Sequence, residues 1–314
     1  MSLKYTMEFI ESLDDPTING RKVCQLFNGF PNCEATYQTI QEDKGQTDFI
    51  KILIKGEQGK KKGGDFPSIG IIGRLGGIGA RPSRKGLVSD GDGAIAALVA
   101  AKKLAEMNSK GDTLLGDAYI TTHICPAAPT EPHKPVEFMG SPVEMATMNR
   151  HEVLPEMDAI LSVDTTKGNN LFNHKGVAIS PTVKSGYILK FNDNLIRLLE
   201  TTKGNPAVTF AITTQDITPY GNGVFHINSI MQPSTATDAP VVGVAITSGS
   251  VIPGSATGAS HEIDIAEAAK FCIEAAKEYT DAKIDFYDKK EFSRLVKLYG
   301  EFKVLQSFNN EPIN

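Results

Sequence analysis

Five residues of this chain are of types that hold divalent cations, and they fall at or near the ends of predicted elements. Asp90 and Asp92 head an alanine-rich helix, His123 lies in a strand, Asp164 ends another strand, and His261 precedes a late helix. A catalytic metal site takes about three such side chains, leaves a position for water, and keeps a carboxylate in reach as general base. Each of the five also has a plain structural role. An acid at a helix head satisfies free N–H groups and suits the helix dipole. A histidine between Thr122 and Ile124 can be a satisfied core residue, Asp164 can serve a turn, and His261 can be a first-turn helix residue. For Asp164 the functional role is favoured, because active residues of open α/β sheets gather at strand C-terminal ends.

A second set of residues suits an anion. Gly76, Gly77 and Gly79 sit beside Arg74, Arg81 and Arg84. Backbone N–H groups and guanidinium forks together bind carboxylates or phosphates, although loop arginines are also commonly solvated or tied to nearby acids. The glycines do not form a dinucleotide fingerprint, since Ala80-Arg81-Pro82 follows and the helix begins only near Asp90. Met148-Asn149-Arg150-His151-Glu152 and the segment from Thr213 to Tyr220 mix hydroxyl, amide and charged groups at predicted element ends. Asn149, Arg150, His151 and Asp216 therefore join Arg74 and Arg81 as expected ligand contacts, with turn chemistry as their other reading. Cys125 lies two residues after His123 on one strand face, which leaves a thiol nucleophile open. No Gly-x-Ser-x-Gly elbow occurs, so a serine hydrolase is not expected.

The elements that must position these groups follow from hydrophobic periodicity. Helices are expected over residues 5–13, from Asp15-Pro16 to Gly29, from near Asp90 to Met107, and over 140–153, 194–201, 263–279 and 289–299. Strands are expected over 34–41, 49–54, 68–72, 118–125, 158–163, 208–213, 223–230 and 240–246, with 177–191 rich in strand. Strand, helix, strand in this rhythm implies a mixed, mostly parallel sheet sandwiched by helices. One α/β domain over residues 1–314 is expected, with residues 1–60 packed on the core.

The 314 residues are 40% hydrophobic and 22% charged, with a net charge of -5. That composition indicates neither nucleic acid nor membrane as a partner, and a small-molecule ligand is expected. No segment reaches the roughly 20 apolar residues of a bilayer span, and the first residues lack a signal-peptide core. Cys24, Cys33, Cys125 and Cys272 form no close metal-type pair, so free thiols in a cytoplasmic setting are expected.

Along nearly its whole length the chain resembles a family of uncharacterised bacterial proteins. The likeness is plainest in IGRLGGIGARP with VSDGDGAIAAL, ATMNRHEVLPEMDAILSVDTTKGN, ITTQDITPYGNGVFH and ATGASHEID. More distantly it is similar to the tetrahedral-type dinuclear-zinc aminopeptidases, without their inserted lid domain. Where those enzymes carry the first metal-binding histidine this chain has Arg74, and glycines replace the acids that follow. Asp90 and Asp92 keep an acid at the helix head, His123-Ile124-Cys125-Pro126 replaces the tandem glutamates, and Ser162-Val163-Asp164-Thr165-Thr166 is the best-matched motif. The resemblance implies a rebuilt site for a zinc or manganese ion on Asp164, Asp90 or Asp92, His123 and His261. The activity implied is hydrolysis of a small amide- or peptide-like substrate, with Arg74 and Arg81 gripping an anionic group. A non-catalytic descendant that binds a small anionic ligand or a partner protein is the alternative. Assembly into a homo-oligomer is a further expectation from the same resemblance.

Overall fold

The computed structural model describes residues 2–74, 79, 84–166, 168, 172–212, 227–251, 255–303 and 306. Three strands form the parallel heart of its sheet. β3 (Ile69–Gly73), β7 (Ala159–Thr166) and β11 (Val241–Thr247) are buried at every residue, because helices or helical turns cover both faces and favour unbroken apolar runs. β4 (Ala118–Ile124) lies parallel to β3 on its other side, giving a central order β4-β3-β7-β11.

Antiparallel strands flank this heart. β1 (Cys33–Glu42) and β2 (Gly45–Ile54) form a hairpin that joins the sheet through β2 and β4. β8 (Gly176–Ile179), β9 (Val183–Lys184) and β10 (Tyr187–Ile188) extend the β11 side, completing a nine-stranded sheet among the described residues. β5 (Thr130–Glu131) and β6 (Phe138–Met139) make a separate small pair. The sheet is thus the mixed one expected, with its parallel strands at the centre.

One face carries α1 (Ser2–Asp14), α3 (Asp92–Ser109), α5 (Asp193–Lys203) and α6 (Glu262–Thr280) over the larger apolar core. α1 contributes Tyr5, Phe9 and Leu13, one side chain per turn, and the Tyr5 hydroxyl donates to the Glu106 carboxylate on α3. α3 lies unusually close to β3. A Cβ on Gly73 would come within 2.6 Å of Gly93 O and 2.8 Å of Ala97 Cβ, so only glycine in the strand and small residues in the helix allow the contact. The opposite face carries α4 (Met145–Glu152) and a 3₁₀ helix (Ser229–Ala236) over a smaller core that includes Ile72, Ile160 and Met231. α2 (Gly20–Gln25) packs on the β1–β2 hairpin, and α7 (Lys289–Tyr299) follows α6.

Several elements differ from the sequence expectation. Asp15-Pro16 does not open α2, which starts at Gly20 with the Asn19 side chain accepting from Lys22 N at 2.9 Å. The 140–153 helix is confined to Met145–Glu152. Residues 208–212 supply only a bridge between Thr209 and Ile179. Of the strand expected over 223–230, residues 223–226 lie outside the described residues, and Ser229-Ile230 begin the 3₁₀ helix. No helix among the described residues is long and apolar enough to cross a membrane.

Candidate functional site

The chain runs from β3 through α3 to β4 on one side of β3, and then through α4 to β7 on the other side. The connections therefore reverse direction at β3, and crevices that hold ligands open at such switch points, beyond the C-terminal ends of the strands. Gly73 is in register with Val163, and Arg74 N donates to Val163 O at 2.8 Å. Arg74 and Asp164 consequently leave the sheet on neighbouring strands.

Strand alternation settles which face each side chain takes. Ile71, Ile120, Leu161 and Val163 enter the larger core, whereas Ile72, Tyr119 and Ile160 enter the smaller one. By the same alternation Arg74, His123, Ser162 and Asp164 all belong to the face covered by α4 and the 3₁₀ helix.

At the centre of that face is an ion network absent from solvent. Arg74, 1% exposed, places Nη1 2.6 Å from Glu152 Oε2 and donates to Asn149 Oδ1 at 3.3 Å; its Nη2 meets the Met145 sulfur. Glu152 Oε1 lies 2.5 Å from His123 Nδ1. Burial pushes the Glu152 carboxyl upward, but His123 and Arg74 outweigh it and hold the carboxyl below its ordinary range. Thr121 donates its hydroxyl to Glu152 O at 2.8 Å, and Asn149 Nδ2 donates to Gln232 O at 3.4 Å. The network thus pins the last turn of α4 to the sheet and to the 3₁₀ helix.

An acidic side lies next to it. Asp92, fully buried, starts α3, and a Cβ on Gly93 would lie 3.2 Å from Asp164 Cα. Asp164, 1% exposed, accepts from Thr165 N at 2.7 Å, and the Thr165 hydroxyl donates to Ser89 O at 3.1 Å. On the same face of β7 and β11, the buried hydroxyls of Ser162, Thr166 and Thr247 have no hydrogen-bond partner among the described residues. Buried hydroxyls are normally bonded, so this cluster is unusual in a finished core and fits a place where polar ligand atoms or water belong.

The expected residues are therefore distributed as follows. Arg74 and His123 converge on Glu152, Asn149 accepts from Arg74, and Asp164 lies on β7 against Gly93, the residue after Asp92. Asp90 is half-buried in the 3₁₀ turn Ser89–Gly91. The α3 N-cap is Gly91 with no side-chain cap bond, and Asp92 is the acid of the first helical turn, where it suits the dipole. His151 is half-buried and stacks on Phe49 at 4.6 Å between ring centres; burial and the Arg150 charge lower its pKa. Arg150 is exposed. His261 is the N-cap residue of α6 without a side-chain cap bond. Arg81 and Asp216 lie outside the described residues. Burial pushes the Cys125 thiol up to about 11 and its Sγ donates to Gln46 O, which removes it as a nucleophile at neutral pH.

Glu152, the pivot of the network, was not among the residues expected to act. Its signal was nonetheless readable, for it shares a helical face with Met145, Met148 and Asn149, and an acid on a buried face needs a cationic partner.

The metal implied by the aminopeptidase resemblance can be tested against these donors. Among the described residues no group of three His, Cys, Asp or Glu side chains is placed to hold an ion. His123 commits Nδ1 to Glu152, and a permanent cation, Arg74, occupies the strand end where a ligand would be required. Among the described residues the donor set does not fit a dinuclear centre.

Away from this site, a cavity of about 500 Å³ opens at the other end of the strands, among Pro67, Asp158, Lys184, Pro240 and Tyr287. Asp158 there is already paired with Lys60 at 2.6 Å.

No curated protein matches the chain. Among solved structures it is similar to a crystal structure of LapA from Legionella pneumophila, at 11% identity and a TM-score of 0.49, covering 89% of this chain and 74% of that one. A second structure, of the LapA aminopeptidase of the same organism, is 12% identical with a TM-score of 0.47, covering 89% of this chain and 69% of that one. A family model matches residues 38–309, and the chain accordingly belongs to the family described as Protein of unknown function (DUF1177).

Proposed function

We propose that the protein binds a small zwitterionic molecule, amino-acid-like or peptide-like, beyond the ends of β3 and β7. The observation that carries this reading is that buried groups of opposite sign stand side by side at those adjacent strands, Arg74 just after β3 and Asp164 on β7. A carboxylate suits the Arg74 and His123 side, and an ammonium group suits the Asp92 and Asp164 side. The hydroxyls of Ser162, Thr166 and Thr247 supply further polar contacts. Recognition rather than metal-assisted hydrolysis is favoured by the donor set, which offers an ion network in place of a ligand cluster.

Thermal-shift and calorimetric titration with free amino acids, short peptides, simple carboxylates and simple amines tests the reading. Zwitterions should bind about ten-fold more tightly than either half alone, and Asp164→Asn should abolish the preference for an amine. Equal responses to carboxylates and zwitterions, or no binding across the panel, would sink it.

A further inference from the structure

β1 is the outermost strand of the sheet, and among the described residues no further strand covers its outer edge. Its pairing with β2 runs without a bulge from Cys33↔Ile54 to Glu42↔Gly45. Between Ala35 and Gln41 it has no charged residue and no proline, and Thr36 to Thr39 are exposed. Natural edges are normally blunted by lysine, proline, bulges or a covering element.

The direction of the free backbone groups can be read from one bond. Lys55 N donates to Asn32 O at 2.8 Å, one step beyond the Cys33↔Ile54 pair. Antiparallel hydrogen-bonded pairs alternate, so even-numbered residues of β1 turn their backbone toward β2. Cys33, Ala35, Tyr37, Thr39 and Gln41 turn theirs outward, and among the described residues no strand pairs with that side.

We propose that a second copy of this chain pairs with β1 in antiparallel fashion about a two-fold axis at Tyr37, making one sheet that continues across the dimer. That register places Tyr37 opposite Tyr37, Ala35 opposite Thr39 and Cys33 opposite Gln41 of the other copy. Every outward N–H and C=O of the strand then finds a partner, which a shift in either direction would not achieve. The intervening positions set Thr36 opposite Gln38 and Glu34 opposite Ile40, so no like charges face each other. Tyr37, 45% exposed in the single chain, becomes half of a cross-strand aromatic pair at the axis. A two-fold arrangement is isologous and closes at two copies.

Light scattering across a concentration series tests the proposal, and it predicts a mass of twice 33.8 kDa. Hydrogen exchange should show slow amides at Ala35, Tyr37 and Thr39 in the dimer and fast ones on dilution. Tyr37→Pro removes only an outward N–H and should give a monomer. Because proline can strain the strand, a charge pair provides a second arm. Thr36→Glu with Gln38→Glu sets acids against each other across the axis and should weaken the dimer by about ten-fold or more. Thr36→Glu with Gln38→Lys should keep it. A monomer at every concentration would overturn the proposal, including the case in which the edge serves a strand from another protein. A dimer that survives both Tyr37→Pro and the double-glutamate change would also overturn it, since the contact would then lie elsewhere.

Discussion

Arg74 follows β3 and Asp164 lies on the neighbouring parallel β7, and Arg74 forms an ion pair with Glu152, 2.6 Å away on the last turn of α4. The acid supplied by the helix compensates the buried guanidinium. This pairing ties a helix to the strand ends.

Removing one partner of that pair should therefore cost far more than removing both. Glu152→Gln is expected to destabilise the protein by about 3–5 kcal/mol, because it strands a buried cation. Arg74→Met combined with Glu152→Gln should recover much of that loss. Urea unfolding of the two singles and the double gives the coupling directly; additive losses would contradict the network as described.

Gly93→Ala offers a test of the contact between α3 and the strand ends. Alanine is the better helix former by about 1 kcal/mol, so an exposed site would gain stability. Here the added Cβ would lie 2.6 Å from Val163 O and 2.7 Å from Arg74 O, both backbone atoms. A net loss of about 1–3 kcal/mol is expected from overpacking, measured as a lower denaturation midpoint with an unchanged slope.

Stability should fall on mild acidification. Burial, followed by the Lys203 charge, lowers the His174 pKa from its ordinary 6.5, and Asp264 offsets this only in part. With the folded value below the unfolded one, the unfolded chain binds more protons as pH drops beneath 6.5. Stability is thus full above that pH and declines below it until the folded value is passed. His151 is shifted in the same direction and adds to the slope. Melting temperatures between pH 8 and pH 5 should show a decline that His174→Gln makes shallower.

The thiols should be inert in the native protein. Burial pushes Cys24, Cys33 and Cys125 up to about 11, and Cys272 higher still. A thiol-reactive chromophore at pH 8 should titrate the cysteines slowly in buffer and all four promptly in denaturant. A fast native phase would identify a site more open than the burial implies.

The parts of this fold that could be read from sequence were those whose residues answer to one demand at a time. β3, β7 and β11 are continuous apolar runs because both faces are covered, and α3 betrays itself through its alanines. The place of Asp164, buried on β7, was readable from its apolar strand. Other features depended on partners distant in the chain. Gly223 to Ile230 follow a glycine-rich turn as a strand would, but Ser229 and Ile230 are drawn into a 3₁₀ helix that closes the smaller core. Nothing near His123 in sequence announces Glu152, 29 positions on, as the acid that holds it. The distinction between a ligand histidine and a buried paired one lies in that contact.

The docking of α1 has a consequence for how the chain is made. Its buried stripe of Tyr5, Phe9 and Leu13 rests on α3 and on α6, and α6 is synthesised roughly 250 residues after α1. During elongation the first helix has no complete seat, and its apolar stripe stays open to whatever binds nascent chains. Closure of the larger core is therefore expected to be a late, long-range event, slow by the measure of contacts separated this far in sequence.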